Sequence, residues 1–404
     1  MTYFKKLTLH RWRQFENIQI DFESNLTVLT GKNGCGKTTI LNVLGRHFGW
    51  NINFVSTPYI SKKKKKKFWA DVWDTIESDF EIPLNAKKVG DIQYNSNQTC
   101  NLLVPNNTNQ PNYNLQYQNQ QSVKGITIPS HRPVATYHTI QNIPTNPRTN
   151  QQQFEEFQQL LIQTYGSGNV RNPGIVLKES LISLGVFGYG NQNVASNQEY
   201  IDMFEGFQDV LKKLLPPEIG FQKLEIRMPD IVLITDQGPF NIDAMSGGIN
   251  ALFSIAWQIH MYGANNEMCT VLIDEPENHL HPSMQRDFLP SLKDAFPNYR
   301  FIVATHSPFI LSSLPDASVY ALTFNEKKNI TSTLLKESDL TGSANKILKD
   351  ILDVPVTLPK WVETKVKGIL SEYLKGDYNE EKAKAAFNAL KEAGINDALK
   401  DIDI

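Results

Sequence analysis

The first 45 residues begin with alternating apolar and polar positions and then lose that alternation. Residues 5–12 and 18–22 place apolar side chains at every second position, which predicts an antiparallel pair of strands. Residues 25–30 form an almost continuous apolar run, which is typical of a strand buried on both faces. From residue 38 to residue 45 the apolar positions recur at helical spacing. The chain is therefore expected to open with three strands and a helix.

Residues 51–120 have a different pattern. Six consecutive lysines occupy 62–67, and the aromatic residues within 68–73 are spaced as on a helix. A stretch rich in Asn and Gln runs from 95 to 121 with few apolar positions, and a second one runs from 141 to 153. This composition predicts a surface insertion with flexible parts, because it offers little apolar surface to bury.

Regular patterns return after residue 122. Residues 123–129 predict a strand, and apolar faces such as Phe154, Phe157 and Leu161 predict helices between 154 and 215. Further strands are expected at 221–227 and 231–235, and a helix after Ser246.

The pattern is clearest between residues 270 and 305. Two continuous apolar runs, 270–274 and 300–305, are separated by a segment with helical spacing at 283–295. Strands of this kind alternating with helices predict a parallel sheet covered on both faces. The last 60 or so residues predict helices at 344–352, 359–373 and 380–393, with a break at 374–377.

Composition and charge narrow the class of protein. The 404 residues are 40% hydrophobic and 20% charged, as in soluble globular proteins, and their length suits two or three domains. A net charge of −2 gives no overall attraction to nucleic acid or membrane. The three cysteines are far apart, which favours reduced thiols in the cytoplasm. No apolar run approaches the roughly 18 residues of a membrane span, so no membrane partner is expected.

The most informative motif lies between the third predicted strand and the first predicted helix. Residues 31–38 fit the phosphate-loop pattern G-x-x-x-x-G-K-S/T in its proper strand–loop–helix setting. The glycines let backbone N–H groups turn toward phosphate oxygens, and the helix N-terminus adds positive potential. Lys37 would reach the β- and γ-phosphates, and the Thr38 hydroxyl would bind Mg²⁺. The predicted nucleotide-binding residues of this loop are Gly31, Asn33, Gly34, Cys35, Gly36, Lys37, Thr38 and Thr39.

Acidic residues end the strand at 270–274. Asp274 would lie beside the phosphate loop and hold Mg²⁺, either directly or through water. Because successive strand residues point in opposite directions, Glu275 would face the γ-phosphate side and activate the attacking water. His306 ends the next buried strand, where it could donate a hydrogen bond to the γ-phosphate and sense its presence.

A second anion-binding element begins the helix after residue 245. Ser246, Gly247 and Gly248 would form its N-terminus, where a serine and two glycines expose backbone donors. One ATP already has its phosphates wrapped by the first loop. This second element therefore suggests a role in trans, on the ATP of another molecule. We call residues 245–248 the signature segment.

These four elements, in this order, resemble those of the ATP-binding-cassette (ABC) ATPases. Residues 275–282 resemble the E-P-E-x-x-L-H-P segment of the overcoming-lysogenization-defect and RecF-like ATPases. The opening Trp12-Arg13-Gln14-Phe15 is similar to the start of chromosome-maintenance and RecF-like heads, whose arginine contacts ATP phosphates; this nominates Arg13. The resemblance covers roughly residues 1–45 and 225–325.

The resemblance implies an α/β fold with an ABC-ATPase-like head. In such a head, mixed N-terminal strands join a parallel core sheet with flanking helices. The head would comprise residues 1–50 and 220–335, residues 51–219 would form a partly helical and irregular insertion, and residues 336–404 would form a C-terminal helical region.

Two positions depart from the family pattern. Ile249 follows the signature glycines where a glutamine is common. After the strand at 126–129, where a metal-coordinating glutamine is expected, the chain has Ser130-His131-Arg132. Arg132 is open to two interpretations, a sensor of phosphate charge or a partner of a structural carboxylate.

The resemblance also implies partners and a reaction. Two copies would pair head to tail, or as a higher oligomer, and sandwich two ATPs with Mg²⁺, each held by one copy's Lys37 and the other's Ser246. Hydrolysis would then loosen the pair. The sequence shows no heptad repeats that would form long coiled-coil arms, and no nuclease segment after residue 325. The chain therefore resembles the stand-alone ATPases of bacterial anti-phage systems. Such ATPases control a separate nuclease or toxin.

Two other functions remain open from the sequence. A RecF-like repair or replication ATPase would bind DNA phosphates through the basic run. That run consists of Lys62, Lys63, Lys64, Lys65, Lys66 and Lys67. The third possibility is the motor subunit of a transporter, which the E-P-E-x-x-L-H-P segment disfavours.

Overall fold

The computed structural model describes most of the chain. The described residues are 1–60, 66–69, 86–105, 111–132, 136–143, 148–166, 171–263, 268–313, 316–342, 344–352, 359–373 and 380–393. Backbone contacts divide the chain into two compact units, Met1–Leu340 and Thr341–Ile404.

The first unit is built on a sheet of 11 strands in the order β10-β8-β7-β1-β2-β18-β17-β3-β16-β15-β11. These strands are β1 Phe4–Trp12, β2 Phe15–Asp21, β3 Leu26–Thr30, β7 Lys87–Tyr94, β8 Thr99–Val104, β10 Gln116–Gln118, β11 Gly125–Ile128, β15 Thr270–Asp274, β16 Arg300–Ala304, β17 Ser318–Phe324 and β18 Ile330–Leu334. Three small sheets accompany it. They pair β4 Phe54–Val55 with β9 Asn112–Tyr113, β5 Thr57–Ile60 with β6 Lys66–Trp69, and β12 Phe221–Arg227 with β13 Asp230–Thr235 and β14 Gly238–Asn241.

The five strands β17, β3, β16, β15 and β11 run parallel to one another, whereas β17 is antiparallel to β18 on its other side. All five residues of β3 and of β15 are buried, as expected for strands covered on both faces. This arrangement confirms the predicted parallel core. Because the strands run the same way, the residues that follow β3, β15 and β16 meet at one edge of the sheet.

The other half of the sheet is mostly antiparallel. β1 and β2 pair as predicted, with Leu7 opposite Ile20. β7 then pairs with β1, and β8 with β7. A surface insertion was expected over this part of the chain, but residues 87–104 form strands of the main sheet. Their apolar side chains are buried, and apart from an irregularity between Lys88 and Gly90 they fall at alternate positions; they are Val89, Ile92, Tyr94, Cys100, Leu102 and Val104.

The lysine run and the aromatic residues after it are only partly described. Residues 66–69 form strand β6, so the helix expected over 68–73 is wrong for its first two residues. Residues 61–65 and 70–85 lie outside the described part of the chain.

Strands β17 and β18 were not predicted from the sequence. β18 lies between β17 and β2 and so connects the two halves of the sheet.

Helices pack around the sheet. They are α1 Lys37–Gly45, α2 Asn150–Gly166, α3 Pro173–Tyr189, α4 Gln198–Leu214, α5 Gly247–Tyr262, α6 Pro282–Ala295, α7 Pro308–Leu311 and α8 Glu337–Leu340, with short 3₁₀ turns at Arg46–Phe48, Pro217–Ile219 and Ile242–Ala244. The helices expected after residue 154, after Ser246 and at 283–295 are all present, and Phe207, Leu211 and Leu214 lie on the buried face of α4. Within the described residues, no helix has the length and apolar character needed to cross a membrane.

The second unit contains α9 Ala344–Asp350, α10 Lys360–Tyr373 and α11 Glu380–Glu392. The predicted helices are therefore present. The break expected at 374–377 lies outside the described residues. Val362, Val366 and Leu390 form a small core between α10 and α11, while the side chain of Trp361 is exposed.

Candidate nucleotide-binding site

The loop between β3 and α1 depends on its glycines. Gly31, Gly34 and Gly36 have φ angles of 140°, 82° and 85°, which residues with a side chain rarely adopt. Two of them also lie against neighbouring strands. A Cβ added at Gly31 would lie 2.3 Å from the carbonyl oxygen of Leu322, and one at Gly36 would lie 2.4 Å from the ring of Phe15. Strands β2 and β17 thus fix the shape of the loop.

Lys37 begins α1, and its side chain folds back over the loop. The residue is buried, and its ammonium donates to the carbonyl oxygens of Gly31 at 2.8 Å and Lys32 at 3.2 Å. Cys35 is fully buried beside it, and burial raises the pKa of its thiol despite the nearby ammonium. The loop is therefore closed around one cation, while Asn33 and Gly34 at its tip are exposed.

Thr38 and Asp274 come from distant parts of the sequence and meet at the sheet edge. The Thr38 hydroxyl donates to Asp274 Oδ2 at 2.9 Å. The other carboxylate oxygen, Oδ1, is buried without a hydrogen-bond partner, and burial raises the pKa of Asp274 to about 6. A hydroxyl beside an unmatched carboxylate oxygen is a donor set that Mg²⁺ favours, so these two residues fit the predicted metal site.

Glu275 follows Asp274 in a left-handed conformation, with φ of 45°. Its side chain is partly exposed; Oε2 accepts from Asn278 at 3.1 Å, and Oε1 lies 3.8 Å from His306 Nδ1. The structure therefore brings the two predicted catalytic residues together. A carboxylate that accepts from an amide, lies near an imidazole and is still reached by solvent is placed to accept a proton from water.

Glu277 belongs to this cluster but was not singled out from the sequence. It is only 7% exposed, and its Oε1 accepts from the Thr305 hydroxyl and the His306 backbone N–H, both at 2.8 Å. The same oxygen lies 3.1 Å from His306 Nδ1. Its place in the E-P-E-x-x-L-H-P segment was the available signal. A buried acid needs partners; Glu277 Oε1 has them at the end of β16, while Oε2 is buried without a hydrogen-bond partner.

Arg132 holds the turn after β15. Its guanidinium donates to the carbonyl oxygens of Asp274, Glu275, Pro276 and Asn278 at 3.0–3.5 Å. These contacts are with main-chain oxygens, a role that neither interpretation of the sequence included. Because four carbonyl oxygens converge on one cation, Arg132 fixes the backbone that carries Glu275.

The signature segment begins α5 as predicted. Ser246 is the N-cap, and its hydroxyl accepts from the Ile249 N–H at 3.5 Å. Ser246 and Gly247 are exposed, whereas Gly248 is buried, and a Cβ added there would lie 2.9 Å from the carbonyl oxygen of His279. The exposed donors of this helix N-terminus are therefore free to meet another molecule.

Arg13 lies in the tight turn between β1 and β2, with φ of 56°. Its guanidinium is 5.8 Å from the centre of the Phe54 ring. Phe15, two residues later, is the residue that packs on Gly36 of the phosphate loop. Thr39 is half-buried on the first turn of α1.

A model of the AAA ATPase domain matches residues 3–311 of the chain. The chain belongs to this AAA ATPase domain family. The match spans both halves of the main sheet and contains every predicted site residue. It confirms the ATPase resemblance that the motifs carry.

Two curated proteins are similar in sequence to this chain. One is the Septu protein PtuA of Bacillus mycoides, 25% identical over 336 residues that cover 81% of this chain and 41% of that protein. The other is the Retron Ec83 probable ATPase of Escherichia coli, 29% identical over 131 residues that cover 30% of this chain and 24% of that protein. The chain thus spans less than half the length of these two relatives.

Among solved structures, the chain is similar to an Smc head domain from Pyrococcus furiosus with an extended coiled coil. The TM-score is 0.46 at 14% identity, and the alignment covers 87% of this chain and 100% of that one.

Proposed function

We propose that the protein binds ATP with Mg²⁺ and hydrolyses it as a head-to-tail pair of copies. The observation that carries this proposal is the meeting of Thr38, Asp274, Glu275 and His306 at the end of the parallel strands, beside the loop closed by Lys37. Family membership supports ATP as the substrate.

Each residue of the cluster has a distinct task in this proposal. Lys37 binds the β- and γ-phosphates by turning its ammonium from the loop carbonyls to phosphate oxygens. Thr38 and Asp274 hold Mg²⁺, which neutralises charge on the phosphates when bound. Glu275 orients the attacking water and accepts its proton, while His306 donates to the γ-phosphate.

The second copy completes the site. Its exposed Ser246 and Gly247 would bring helix N-terminal donors to the γ-phosphate from the opposite side. ATP then bridges the two copies, and loss of the γ-phosphate removes the bridge. The nucleotide would thus control whether the two heads are associated or apart.

We further propose that this change controls a separate effector, a nuclease or toxin, in defence against phage. The similarity to the Septu protein PtuA and to a retron ATPase supports this role. A pull-down from the native host with and without ATP tests it, and capture of a small partner protein in one nucleotide state is the expected result. Retention on duplex DNA that falls steeply with salt, without such a partner, would instead favour a repair function.

Two substitutions test the ATPase itself. Lys37→Ala should abolish nucleotide binding, because no other side chain replaces the ammonium in the loop. Glu275→Gln should keep binding but lower turnover by about 100-fold or more. It should also trap the ATP-bound pair, which size-exclusion chromatography with light scattering measures directly. Full turnover by the Glu275→Gln protein would exclude Glu275 as the base.

A further inference from the structure

A buried lysine lies in the middle of α3, outside the nucleotide site. Lys178 is only 1% exposed. Its ammonium donates to Asp230 Oδ1 and Asp243 Oδ2, each at 2.7 Å, and to the carbonyl oxygen of His138 at 2.9 Å. The three acceptors come from three separate segments, so one cation joins them all to α3.

The ammonium remains charged in this setting. Burial works against the charge, but the hydrogen bonds and charges of the two carboxylates outweigh burial and raise the pKa of Lys178. A buried cation with complete partners tolerates the loss of a partner poorly, because the remaining charges are left uncompensated. The positions of Asp230 and Asp243 are therefore tightly held.

Asp243 is three residues before Ser246. It lies in the 3₁₀ turn Ile242–Ala244, which Asn241 caps by accepting from the Asp243 N–H at 2.8 Å. Met245 alone separates this turn from Ser246, the N-cap of α5. Lys178, Asp243, Met245 and Asn250 also line one cavity of about 50 Å³. Only two residues therefore separate Asp243 from the N-cap of α5.

Asp230 provides a natural comparison. It contacts the same nitrogen at the same distance, but it lies at the first residue of β13, sixteen residues before Ser246. Removing its charge also leaves the ammonium with one carboxylate, but at a position remote in sequence from the turn at 242–244.

We propose that Lys178, through Asp243, is a positioning residue that holds the signature segment in the geometry needed to bind the ATP of the second copy. This inference rests on the proposed function. It adds a connection, through Asp243, between α3 and the ATP that the two copies share.

The test compares Asp243→Asn with Asp230→Asn, each in the Glu275→Gln chain. Association in Mg²⁺–ATP is measured by analytical ultracentrifugation, and binding of a fluorescent ATP analogue is measured at concentrations where the chain is monomeric. We expect Asp243→Asn to weaken association by about tenfold or more and Asp230→Asn by less than about threefold, a difference in the usual range of coupling between sites. Nucleotide binding by the monomer should change less than about twofold in both variants, because Lys37 is untouched.

Thermal unfolding of both variants provides the stability control. If either asparagine variant fails to fold, Asp243→Glu and Asp230→Glu replace the pair, since both keep the charge and shift the carboxylate by one methylene. Equal loss of association in the matched variants, or no loss in either, would overturn the inference. A Glu275→Gln parent that stays monomeric in ATP would instead overturn the proposed function and this inference with it.

Discussion

Glu277 is a residue whose buried carboxylate accepts two hydrogen bonds at the end of β16 and lies 3.1 Å from His306 Nδ1. Through Thr305 and His306 it holds the imidazole beside Glu275. Glutamine has the same shape but lacks the charge that strengthens these bonds.

We expect Glu277→Gln to lower the turnover number about 10- to 100-fold, as is usual when an outer partner of a catalytic group is lost, and to leave ATP affinity within about twofold. Stability should fall by about 1–3 kcal/mol. Steady-state ATPase assays, nucleotide titration and urea unfolding measure the three effects. Glu199→Gln, on the exposed first turn of α4, is the control. A variant that loses stability while keeping full turnover would limit Glu277 to a structural role.

His47 makes the fold sensitive to acid. Its ring lies between the Leu44 carbonyl oxygen at 3.1 Å and the Tyr94 hydroxyl at 2.8 Å. Burial lowers the pKa of His47 to about 4 from an ordinary value of 6.5. The imidazole therefore becomes protonated below pH 6.5 in the unfolded chain but only below about pH 4 in the folded chain. Because the unfolded chain binds the extra proton, the free energy of unfolding falls as the pH drops from 6.5 to about 4.

The size of this effect follows from the width of the window. Lowering the pH from 7 to 4.5 should reduce the free energy of unfolding by about 2 kcal/mol through this histidine, after allowance for its partial exposure. His47→Gln should remove that part of the pH dependence. Urea unfolding of both proteins at the two pH values measures it, and parallel losses of stability would contradict the assignment.

At the scale of the elements, the packing of β2 against the start of α1 depends on one glycine. Gly36 has φ of 85° and faces the ring of Phe15, which is itself only 2% exposed. Gly34 has φ of 82° but open space around its Cα.

The two glycines therefore form a matched pair for substitution. Gly34→Ala should cost about 1–2 kcal/mol of stability from backbone strain alone. Gly36→Ala should cost about 2 kcal/mol more, because the added methyl also overlaps a packed ring. Chemical unfolding measures both. Equal losses of stability would mean that strand β2 shifts to make room for the added methyl group.

The sequence predicted the elements whose patterns are local. The buried runs at β3, β15 and β16 and the N-cap Ser246 could be read from a few neighbouring residues. The pairing of β7 with β1 could not, because an irregularity between Lys88 and Gly90 interrupts the alternation of buried positions between Val89 and Ile92. The roles of Arg132 and Glu277 could not be predicted either, although both lie in segments that the sequence analysis singled out, since these roles depend on backbone atoms and side chains that only the folded sheet edge brings together.

For the whole molecule, the proposed pairing predicts complementation between two defective chains. Lys37→Ala spoils the nucleotide loop, and Ser246→Arg blocks the exposed N-terminus of α5. Neither variant alone should associate in ATP. A mixture should, because the pair contains one complete site built from the intact half of each chain. Energy transfer between differently labelled chains measures this.

A double variant carrying both substitutions, mixed with Lys37→Ala, is the control without any complete site. Strong ATP-dependent association of the Ser246→Arg chain on its own would contradict the head-to-tail arrangement.

The central position of β3 has a consequence for protein synthesis. Its two neighbours in the sheet, β16 and β17, lie about 270 to 300 residues further along the chain. The loop that follows β3 therefore emerges from the ribosome early but lacks its flanking strands until residue 324 has been translated. Until then a growing chain lacks the two strands that flank β3, so we expect the phosphate loop to reach its folded shape only after β17 has been made.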